Sequence, residues 1–500
     1  MNVCRNEEGI EMERLSKRIR SKPSRPERIL QIGEGNFMRG FIDWQIHRLN
    51  EETDFNGSAV VVPPRRGSVT AFQEQDGLYT LYLEGFREGR EVRYSAVITS
   101  ISRVVSSYEH YDEFMELADL PDLRFVFSNT TEAGIIYIEE DRLSDRPQKS
   151  YPGKLTALLY RRYMTFQGSR EKGLVILPCE LLEDNGKILK DIVLRYTNAW
   201  ALEQGFIDWL EEANVFCNTL VDRIVPGFPK ENAHRLEEAA GYHDSLMVKA
   251  EPYHLFVIEG PKWLRDELPL HEAGLNVEFV QDVTPYRIRK VRILNGAHTA
   301  MTPVAYLAGL ETVREAAEDE LIGSFVKELI QREVLETIDM PDSELDNYVE
   351  EILDRFKNPF IRHKLIDISL NSFAKFKVRN LPVLMEYAER TGKLPARTVF
   401  ALSALIYFYR GQRDGDDGAI PLSDDDEVLA FLKRLWTEET DVSNIAFHVL
   451  GFEKVWGQNL NDMPGLTDKT AEYLRDMKQT GMRKALEKMM KSQMAELGDM

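Results

Sequence analysis

The segment KVRILNGAH, residues 290 to 298, carries three side chains that suit proton transfer: Lys290, Asn295 and His298. A lysine removes or returns a proton when burial lowers the pKa of its ammonium group toward neutrality, and Lys290 precedes an apolar helical pattern. Asn295 and His298 are three residues apart, so on a helix they share a face and can hydrogen-bond a reacting oxygen. The pattern predicts a base with two orienting partners; a helix cap beside a satisfied core histidine is the alternative.

A glycine turn near the start of the chain gives such a base a chemical task. QIGEGNFMRG, residues 31 to 40, places Gly33 and Gly35 between a predicted strand and a predicted helix. Glycines there permit a tight turn and let a pyrophosphate approach the helix N-terminus, although the third glycine of the strict fingerprint would fall at Met38. A dinucleotide bound here would exchange hydride with a substrate alcohol, whose proton Lys290 would remove or return. A tight turn without a ligand is the alternative.

Two further segments bear on the cofactor. FSNTTEAG, residues 127 to 134, follows a predicted fourth or fifth parallel strand, so Ser128, Asn129 and Glu132 can reach a ligand beyond the carboxyl ends of the strands, or form only a polar loop. After the second strand, VVVPPRRGS carries Arg65 and Arg66 where an NAD site commonly has a carboxylate. These arginines could accept the 2′-phosphate of NADP or form a solvated turn, so local chemistry leaves the cofactor open.

The order of the predicted strands and helices that would position these residues indicates two domains. Short β-branched or apolar runs at 28–33, 57–64, 94–101, 123–129 and 173–179 alternate with helical patterns such as residues 37–52. This alternation indicates a parallel sheet covered on both faces. From about residue 285 strand-like runs give way to amphipathic helices. We predict an α/β plus all-α fold: a Rossmann-like doubly wound domain at 1–284, then a mostly helical substrate and catalytic domain at 285–500, with Lys290 at their junction, where clefts form.

Composition narrows the classes of function. A length of 500 residues exceeds what one core usually organises. A net charge of −20 disfavours general binding to nucleic acid or anionic membranes, and an anionic substrate would need a local basic pocket. Three scattered cysteines, a charged N-terminus without an apolar core, and no apolar run long enough to span a bilayer predict a soluble cytoplasmic protein. The oligomeric state is not fixed by the sequence.

No metal site is predicted. The acidic stretch 413–427 has Asp414, Asp416 and Gly418 but lacks the later ligands of a calcium loop, which favours a solvated acidic loop. None of the nine histidines forms an HxH or HExxH spacing.

Several motifs together resemble one enzyme family. KVRILNGAH resembles the Lys-Asn-His signature of the long-chain polyol-specific dehydrogenases, the mannitol dehydrogenase family, and IGEGNFMRGF, TEAG, VDRIVP and RFKNP are similar to its other blocks in the right order. The resemblance implies NAD as cofactor, Lys290 as the catalytic base without a metal, and Asp222 as a substrate contact. It also implies cofactor contacts at Gly33, Gly35, Asn36, Phe37, Arg39, Asn129 and Glu132.

Within the family, the resemblance is closest to members that interconvert D-tagaturonate and D-altronate in hexuronate breakdown. The SCDN segment of mannitol enzymes is PCEL here, with Leu181 in place of an asparagine, and Asp367 lies near the position of a family arginine. A sugar acid needs a cation for its carboxylate. The segment NSFAKFKVRNLP supplies three candidates, or a basic surface face: Lys375, Lys377 and Arg379. Fructuronate reductase, a mannitol-type polyol dehydrogenase and a non-catalytic dinucleotide-binding protein remain the alternatives.

Overall fold

The computed structural model describes residues 3–5, 11–87, 89–131, 133–413 and 418–498. Glu132, Asp414 and Asp416, which the sequence singled out, lie outside the described residues. The chain forms two compact units, which we call the N-terminal unit (Met1–Glu84 and Glu91–Val283) and the C-terminal unit (Gly85–Arg90 and Thr284–Met500).

The N-terminal unit is built on strands. In chain order they are β1 (Val3–Arg5), β2 (Glu11–Glu13), β3 (Glu27–Ile32), β4 (Ser58–Val62), β5 (Tyr79–Arg87), β6 (Arg90–Ile98), β7 (Ile101–Val104), β8 (Phe125–Ser128), β9 (Val175–Pro178), β10 (Val215–Phe216), β11 (Asn218–Asp222), β12 (Val248–Ala250), β13 (Leu255–Glu259) and β14 (Val277–Val280).

Six of these strands form one parallel sheet in the order β10-β9-β8-β3-β4-β7. Counted along the chain within this sheet, the order is 6-5-4-1-2-3, which is the arrangement of the dinucleotide-binding doubly wound fold. Smaller sheets have the orders β1-β2, β11-β13-β14 and β12-β5-β6. The predicted strands at 28–33, 57–64, 123–129 and 173–179 are confirmed, whereas 94–101 is not one strand, because it contains the end of β6 and the start of β7.

Helices flank these strands along the chain. They are α1 (Asn36–Gly40), α2 (Ile42–Glu52), α3 (Thr70–Glu74), α4 (Tyr111–Glu116), α5 (Tyr151–Thr165), α6 (Asn185–Ala199), α7 (Gln204–Ala213), α8 (Ala233–Ala240) and α9 (Leu264–Glu267), with single 3-10 turns at Leu117–Asp119, Arg170–Lys172 and Leu270–Ala273. The helix predicted at 37–52 is broken at Phe41, whose φ of −129° and ψ of −72° are not helical.

The parallel sheet separates two hydrophobic cores. Ile29, Val61 and Phe127 belong to one core, and the residues next to them, such as Leu30 and Val126, belong to the other. Successive strand side chains point to opposite faces, so an apolar strand is buried on both sides. This packing explains why the strands have continuous apolar sequences.

A buried arginine ties together the loops before β8 and β9. The side chain of Arg162 is fully buried and donates to the carbonyls of Ala118, Leu120, Leu123 and Lys172 at 2.7–2.9 Å. Burial lowers the pKa of this guanidinium to about 10. The four carbonyl acceptors satisfy a charge that would otherwise be very unfavourable in the core.

The C-terminal unit is mostly helical. Its helices are α10 (Thr284–Arg289), α11 (Gly296–Leu307), α12 (Val313–Glu318), α13 (Glu320–Leu329), α14 (Asp342–Phe356), α15 (Leu365–Ile368), α16 (Ser372–Arg379), α17 (Leu381–Thr391), α18 (Ala396–Phe408), α19 (Asp426–Glu438), α20 (Val442–Leu450), α21 (Glu453–Trp456), α22 (Leu466–Thr480) and α23 (Met482–Gly498). Two π-helical segments, Lys290–Asn295 and Ile330–Val334, continue α10 and α13. Short 3-10 turns occur at Leu335–Thr337 and Leu460–Asp462.

Helix α18 forms the centre of this unit, since every residue from Ala396 to Phe408 is buried. The predicted fold class, a Rossmann-like α/β domain followed by a mostly helical domain, is confirmed. Among the described residues, no helix combines the length and apolar character that a membrane crossing requires.

Candidate active site

The glycine turn follows the first strand of the parallel sheet. Gly33 has a φ of +125°, and a Cβ there would lie 2.9 Å from the carbonyl oxygen of Asn129, so this position requires glycine. The backbone N–H of Gly33 donates to Val62 O, and that of Asn129 donates to Ile32 O, each at 2.9 Å. The turn therefore lies where β3 and β8 are neighbours, the point at which the strand order reverses and ligands of such sheets bind.

Gly35 is constrained differently. A Cβ on Gly35 would meet no atom within 4 Å, so packing within the protein does not demand glycine there. The open space beside it is compatible with the close approach of a ligand to the backbone.

The three residues predicted after Gly35 have distinct surroundings. Asn36 is exposed and accepts a hydrogen bond from Arg39 Nη2 at 2.7 Å, and Phe37 stacks on Phe41 with ring centroids 5.0 Å apart. The guanidinium of Arg39 also donates to Leu246 O, and burial lowers its pKa. Arg39 is thus held by protein groups, while Asn36 lies at the surface of the turn.

A buried glutamate organises the loop after β8, and sequence analysis missed its role. Glu180 accepts hydrogen bonds from Ser128 Oγ, Thr130 N and Thr130 Oγ1 at 2.8–3.0 Å, and burial raises its pKa. Asn129, between these donors, gives its side-chain amide to Cys179 O at 2.7 Å. Glu180 lies in the PCEL segment, and its partners are about fifty residues away in sequence, so only the departure from the SCDN pattern could have drawn attention to it.

A cavity of about 460 Å³ lies beyond the carboxyl ends of β4 and β7; we call it the β4–β7 pocket. Its lining comprises Arg66, Gly67, Ser68, Val69, Thr70, Gln73, Ser106, Tyr108 and Glu109. The Nζ of Lys154 donates to Pro64 O at 3.2 Å and to Tyr108 Oη at 3.0 Å, which joins the two loops that border the pocket. Burial lowers the pKa of Lys154 to about 8.

Asp222 ends β11, where it pairs with Leu255 of β13. Its side chain is buried, and the neighbouring Arg223 donates to Gly40 O and Glu251 O, both at 2.8 Å, and lies over the ring of Trp44. The end of this strand is therefore fixed to the helices that follow the glycine turn.

The Lys-Asn-His segment has a backbone that the sequence did not predict. Lys290 through Asn295 are π-helical, and the N–H of Gly296 donates to the carbonyl five residues earlier, Val291. In an α-helix, at 100° per residue, Lys290 and Asn295 would point about 140° apart. A π-helix bonds residues i and i+5, which brings these two side chains to nearly the same face. Because His298 follows Asn295 by three residues in α11, all three predicted side chains share that face.

Aromatic rings surround the histidine of this segment. The imidazole of His298 is buried, with the rings of Phe356 and His363 at centroid distances of 4.5 and 5.1 Å. Burial lowers the pKa of His363, although Asp367 opposes this effect. Sequence analysis did not select His363, because its approach to His298 depends on the loop after α14.

The three predicted basic residues do not converge. Arg379 Nη1 donates to Thr299 Oγ1 at 3.0 Å, next to His298 in sequence, and Lys375 Nζ donates to Ile368 O at 2.9 Å. Burial and the charge of Arg379 lower the pKa of Lys375, and the two residues lie four apart on α16, which puts them on one face of that helix. Lys377 lies instead beside Gly457. Within the described part of the chain, no group of three or more metal-ligating side chains could hold a metal ion.

Family profiles match both units. The profile of the mannitol dehydrogenase Rossmann domain matches residues 27–272, and that of the mannitol dehydrogenase C-terminal domain matches residues 282–478. The chain belongs to the mannitol dehydrogenase family. It is accordingly an oxidoreductase, and the resemblance found in its motifs is confirmed.

Curated relatives in this family cover nearly the whole chain. The altronate oxidoreductase of Bacillus subtilis (strain 168) is 52% identical over 479 residues, 95% of this chain and 98% of the relative. The altronate oxidoreductase of Escherichia coli (strain K12) is 47% identical over 481 residues, 95% of this chain and 99% of the relative.

Two solved structures share the fold of this chain. A substrate-free D-sorbitol dehydrogenase matches with a TM-score of 0.77 and 22% identity, covering 95% of this chain and 100% of the other. Pseudomonas fluorescens mannitol 2-dehydrogenase, in a ternary complex with NAD and D-mannitol, matches with a TM-score of 0.68 and 22% identity, covering 95% of each chain.

Proposed function

We propose that this protein interconverts D-tagaturonate and D-altronate by hydride transfer with NAD and NADH, with Lys290 as the acid–base group. The substrate assignment rests on the 52% identity, over 95% of the chain, with the Bacillus subtilis altronate oxidoreductase. We also propose a cytoplasmic location for this reaction, since Cys179 and Cys217 are buried free thiols.

The glycine turn supports the cofactor assignment. Gly33 cannot carry a side chain and Gly35 faces open space, so the backbone of the turn is accessible to a pyrophosphate. We assign the cofactor contacts to Gly33, Gly35, Asn36 and Asn129, with Phe37 and Arg39 supporting the turn from behind. Glu132 stays a sequence prediction. NAD, when bound, supplies the acceptor of the hydride in alcohol oxidation and NADH its donor.

The π-helical segment supports the proton-transfer step. During oxidation of altronate, Lys290 Nζ takes the proton of the reacting hydroxyl while the carbon releases its hydrogen as hydride; during reduction of tagaturonate, Lys290 returns that proton to the forming alkoxide. Asn295 and His298, on the same helix face, donate hydrogen bonds that stabilise the negative charge on this oxygen. Two hydrogen-bond donors on one helix face restrict the orientation of the substrate oxygen, and therefore of the carbon that carries it.

Arg379 is our choice for the substrate carboxylate, assisted by Lys375. Its guanidinium has one described hydrogen bond, to Thr299, and the rest of its planar fork suits a carboxylate. Lys377 lies on another side of α16, and we assign it no role in binding. Asp222 remains a predicted contact to the substrate hydroxyls.

The test is NADH oxidation with tagaturonate, fructuronate and fructose, each with the wild-type protein and with Arg379→Ala. We expect the highest kcat/KM with tagaturonate, and a loss of about 1.5–3 kcal/mol, roughly 10- to 100-fold, in Arg379→Ala with either keto acid. Fructose carries no carboxylate, so we expect its turnover to be slow and to be the same in the wild type and in Arg379→Ala. Lys377→Ala is the matched control.

Faster turnover of fructuronate than of tagaturonate would reassign the substrate. Faster turnover of fructose than of either keto acid would exclude a sugar acid as the preferred substrate. The absence of turnover with all three substrates, in assays with NADH and repeated with NADPH, would favour a protein that binds dinucleotides without catalysis.

A further inference from the structure

We propose that the β4–β7 pocket accepts the 2′-phosphate of NADP(H), so that the protein uses both nicotinamide cofactors. This inference depends on the proposed function, because it concerns the adenosine end of the same cofactor. It differs from that function in assigning residues that select between the two cofactors.

The position of the pocket identifies the part of the cofactor that it would meet. In doubly wound sheets, the residues after the second strand contact the ribose of the adenosine, and an acidic side chain there hydrogen-bonds the 2′-hydroxyl of NAD. In this chain the second strand is β4, which ends at Val62, and residues 63–69 have the sequence PPRRGSV. A carboxylate that would repel a 2′-phosphate is therefore missing from this segment.

Cations occupy the place of that carboxylate. Arg65 and Arg66 are exposed, and within the described part of the chain neither forms an ion pair. The guanidinium of Arg66 lies 5.8 Å from the ring centroid of Tyr108 and lines the pocket. Arginine binds phosphate through parallel N–H donors, and its plane can also stack on an adenine. With a net charge of −20 on the whole chain, two adjacent unpaired arginines at this position are a local exception.

Neutral donors and a third cation complete the pocket. Ser68 Oγ donates to Thr70 Oγ1 at 2.9 Å, and both exposed hydroxyls line the cavity together with Ser106. Lys154, behind the pocket, adds a positive charge and holds the loop that carries the arginines through Pro64 O.

One acidic residue of the pocket disfavours the binding of a phosphate. Glu109 lines the same pocket and can accept a hydrogen bond from an unmodified ribose. It follows β7 rather than β4, and its charge is opposed by two arginines. The balance predicts acceptance of both cofactors and not exclusive use of NADP(H).

The experiment measures binding without catalysis, by isothermal titration calorimetry of the full-length protein with ADP and with 2′,5′-ADP. We expect the wild type to bind 2′,5′-ADP at least as tightly as ADP. The double variant Arg65→Ala/Arg66→Ala should bind 2′,5′-ADP about tenfold or more weakly while ADP changes little, because a charged hydrogen bond is worth about 1.5–3 kcal/mol. Glu109→Gln should strengthen 2′,5′-ADP binding. Arg170→Ala, an exposed arginine paired with Glu212, is the control.

The outcomes separate this inference from the proposed function. Tight ADP binding with 2′,5′-ADP tenfold weaker, or equal binding that the double variant does not change, overturns the inference and leaves the NAD-dependent function intact. Failure of both ligands to bind overturns both proposals. A parallel measurement of kcat/KM for NADPH and NADH should show the same selective loss for NADPH in the double variant.

Discussion

The two π-helical segments of the C-terminal unit share a backbone geometry but present their polar side chains to different surroundings. In Ile330–Val334, Glu333 is fully buried and accepts hydrogen bonds from Arg397 N, Thr398 N and Thr398 Oγ1 at 2.7–2.8 Å, at the start of α18. In Lys290–Asn295, Lys290 is half-buried and lies on the same helix face as Asn295 and His298.

In both segments the π-helical turn sets the direction of a polar side chain. The groups that face this side chain then determine whether it has a structural role or a role in the reaction. Glu333 has all its acceptor sites directed at protein donors, so it stabilises the start of a helix. Lys290 lies on a face whose other polar groups are suited to a substrate oxygen. Four substitutions test this contrast.

Lys290→Met should have the largest effect on the reaction. Removal of the acid–base group is expected to lower kcat by a factor of about 10² to 10⁴, since general acid–base catalysis contributes this much. Steady-state NADH oxidation with tagaturonate measures the loss, and the melting temperature should stay close to that of the wild type. Lys327→Ala, an exposed lysine of α13, is the control. A variant that retains full kcat would remove Lys290 from the mechanism.

Glu333→Ala should have the largest effect on stability. It leaves the backbone N–H groups of Arg397 and Thr398 without an acceptor, and it removes one of the two carboxylate partners of the buried Arg397 guanidinium, which keeps only Glu328. Loss of one partner of a buried pair is expected to destabilise the unit by about 3–5 kcal/mol. Urea unfolding measures the change, with exposed Glu336→Ala as the control. If kcat fell at a temperature where the variant is folded, the purely structural role of this segment would be wrong.

Asn295→Ala should have an intermediate effect on the reaction. The backbone carbonyl of Asn295 accepts from Thr299 Oγ1, and the substitution preserves that bond. Loss of one hydrogen bond to a developing negative charge should lower kcat/KM by about 10- to 100-fold, or 1.5–3 kcal/mol. Kinetics and thermal unfolding are measured together. A fall in melting temperature with unchanged kinetics would show that the side chain acts only in packing.

Arg332→Ala should have the smallest effect. This arginine is a cation in the second π-helical segment, half-exposed and 3.6 Å from Glu328. Exposed ion pairs contribute about 0–1 kcal/mol, so neither kcat nor unfolding free energy should change appreciably. A large loss of activity here would mean that both segments take part in the reaction, and the contrast between them would fail.

The sequence was most informative where one local rule decides the structure. Strands β3, β4, β8 and β9 are buried on both faces, so their apolar runs mark them without knowledge of their partners. The stretch 94–101 has the same composition, yet the chain leaves one sheet and enters another there. Ser100, at that change, donates its hydroxyl to Asp43 O, a contact 57 residues away in sequence. No local pattern contains such a contact.

The candidate site could be predicted as a set of residues but not as a geometry. Lys290, Asn295 and His298 were selected by chemical type and motif, whereas the π-helical turn that aligns the first two depends on an extra residue that helical periodicity ignores. Lys375 and Arg379 are four residues apart and lie near each other, while Lys377, two residues from each, points elsewhere, as α-helical spacing requires. Glu180 and His363 escaped notice because each acts through a distant loop.

Arg162 shows how such a structure can tolerate evolutionary change. Every acceptor of its guanidinium is a main-chain carbonyl, in four residues that supply no side chain to the interaction. Side chains at those four positions can therefore be substituted without loss of this interaction, provided that the backbone conformation is unchanged. The interaction depends on one side chain, and a neutral replacement of Arg162 would remove the side-chain donor of four carbonyls at once, of which Leu120 O keeps the backbone N–H of Leu123.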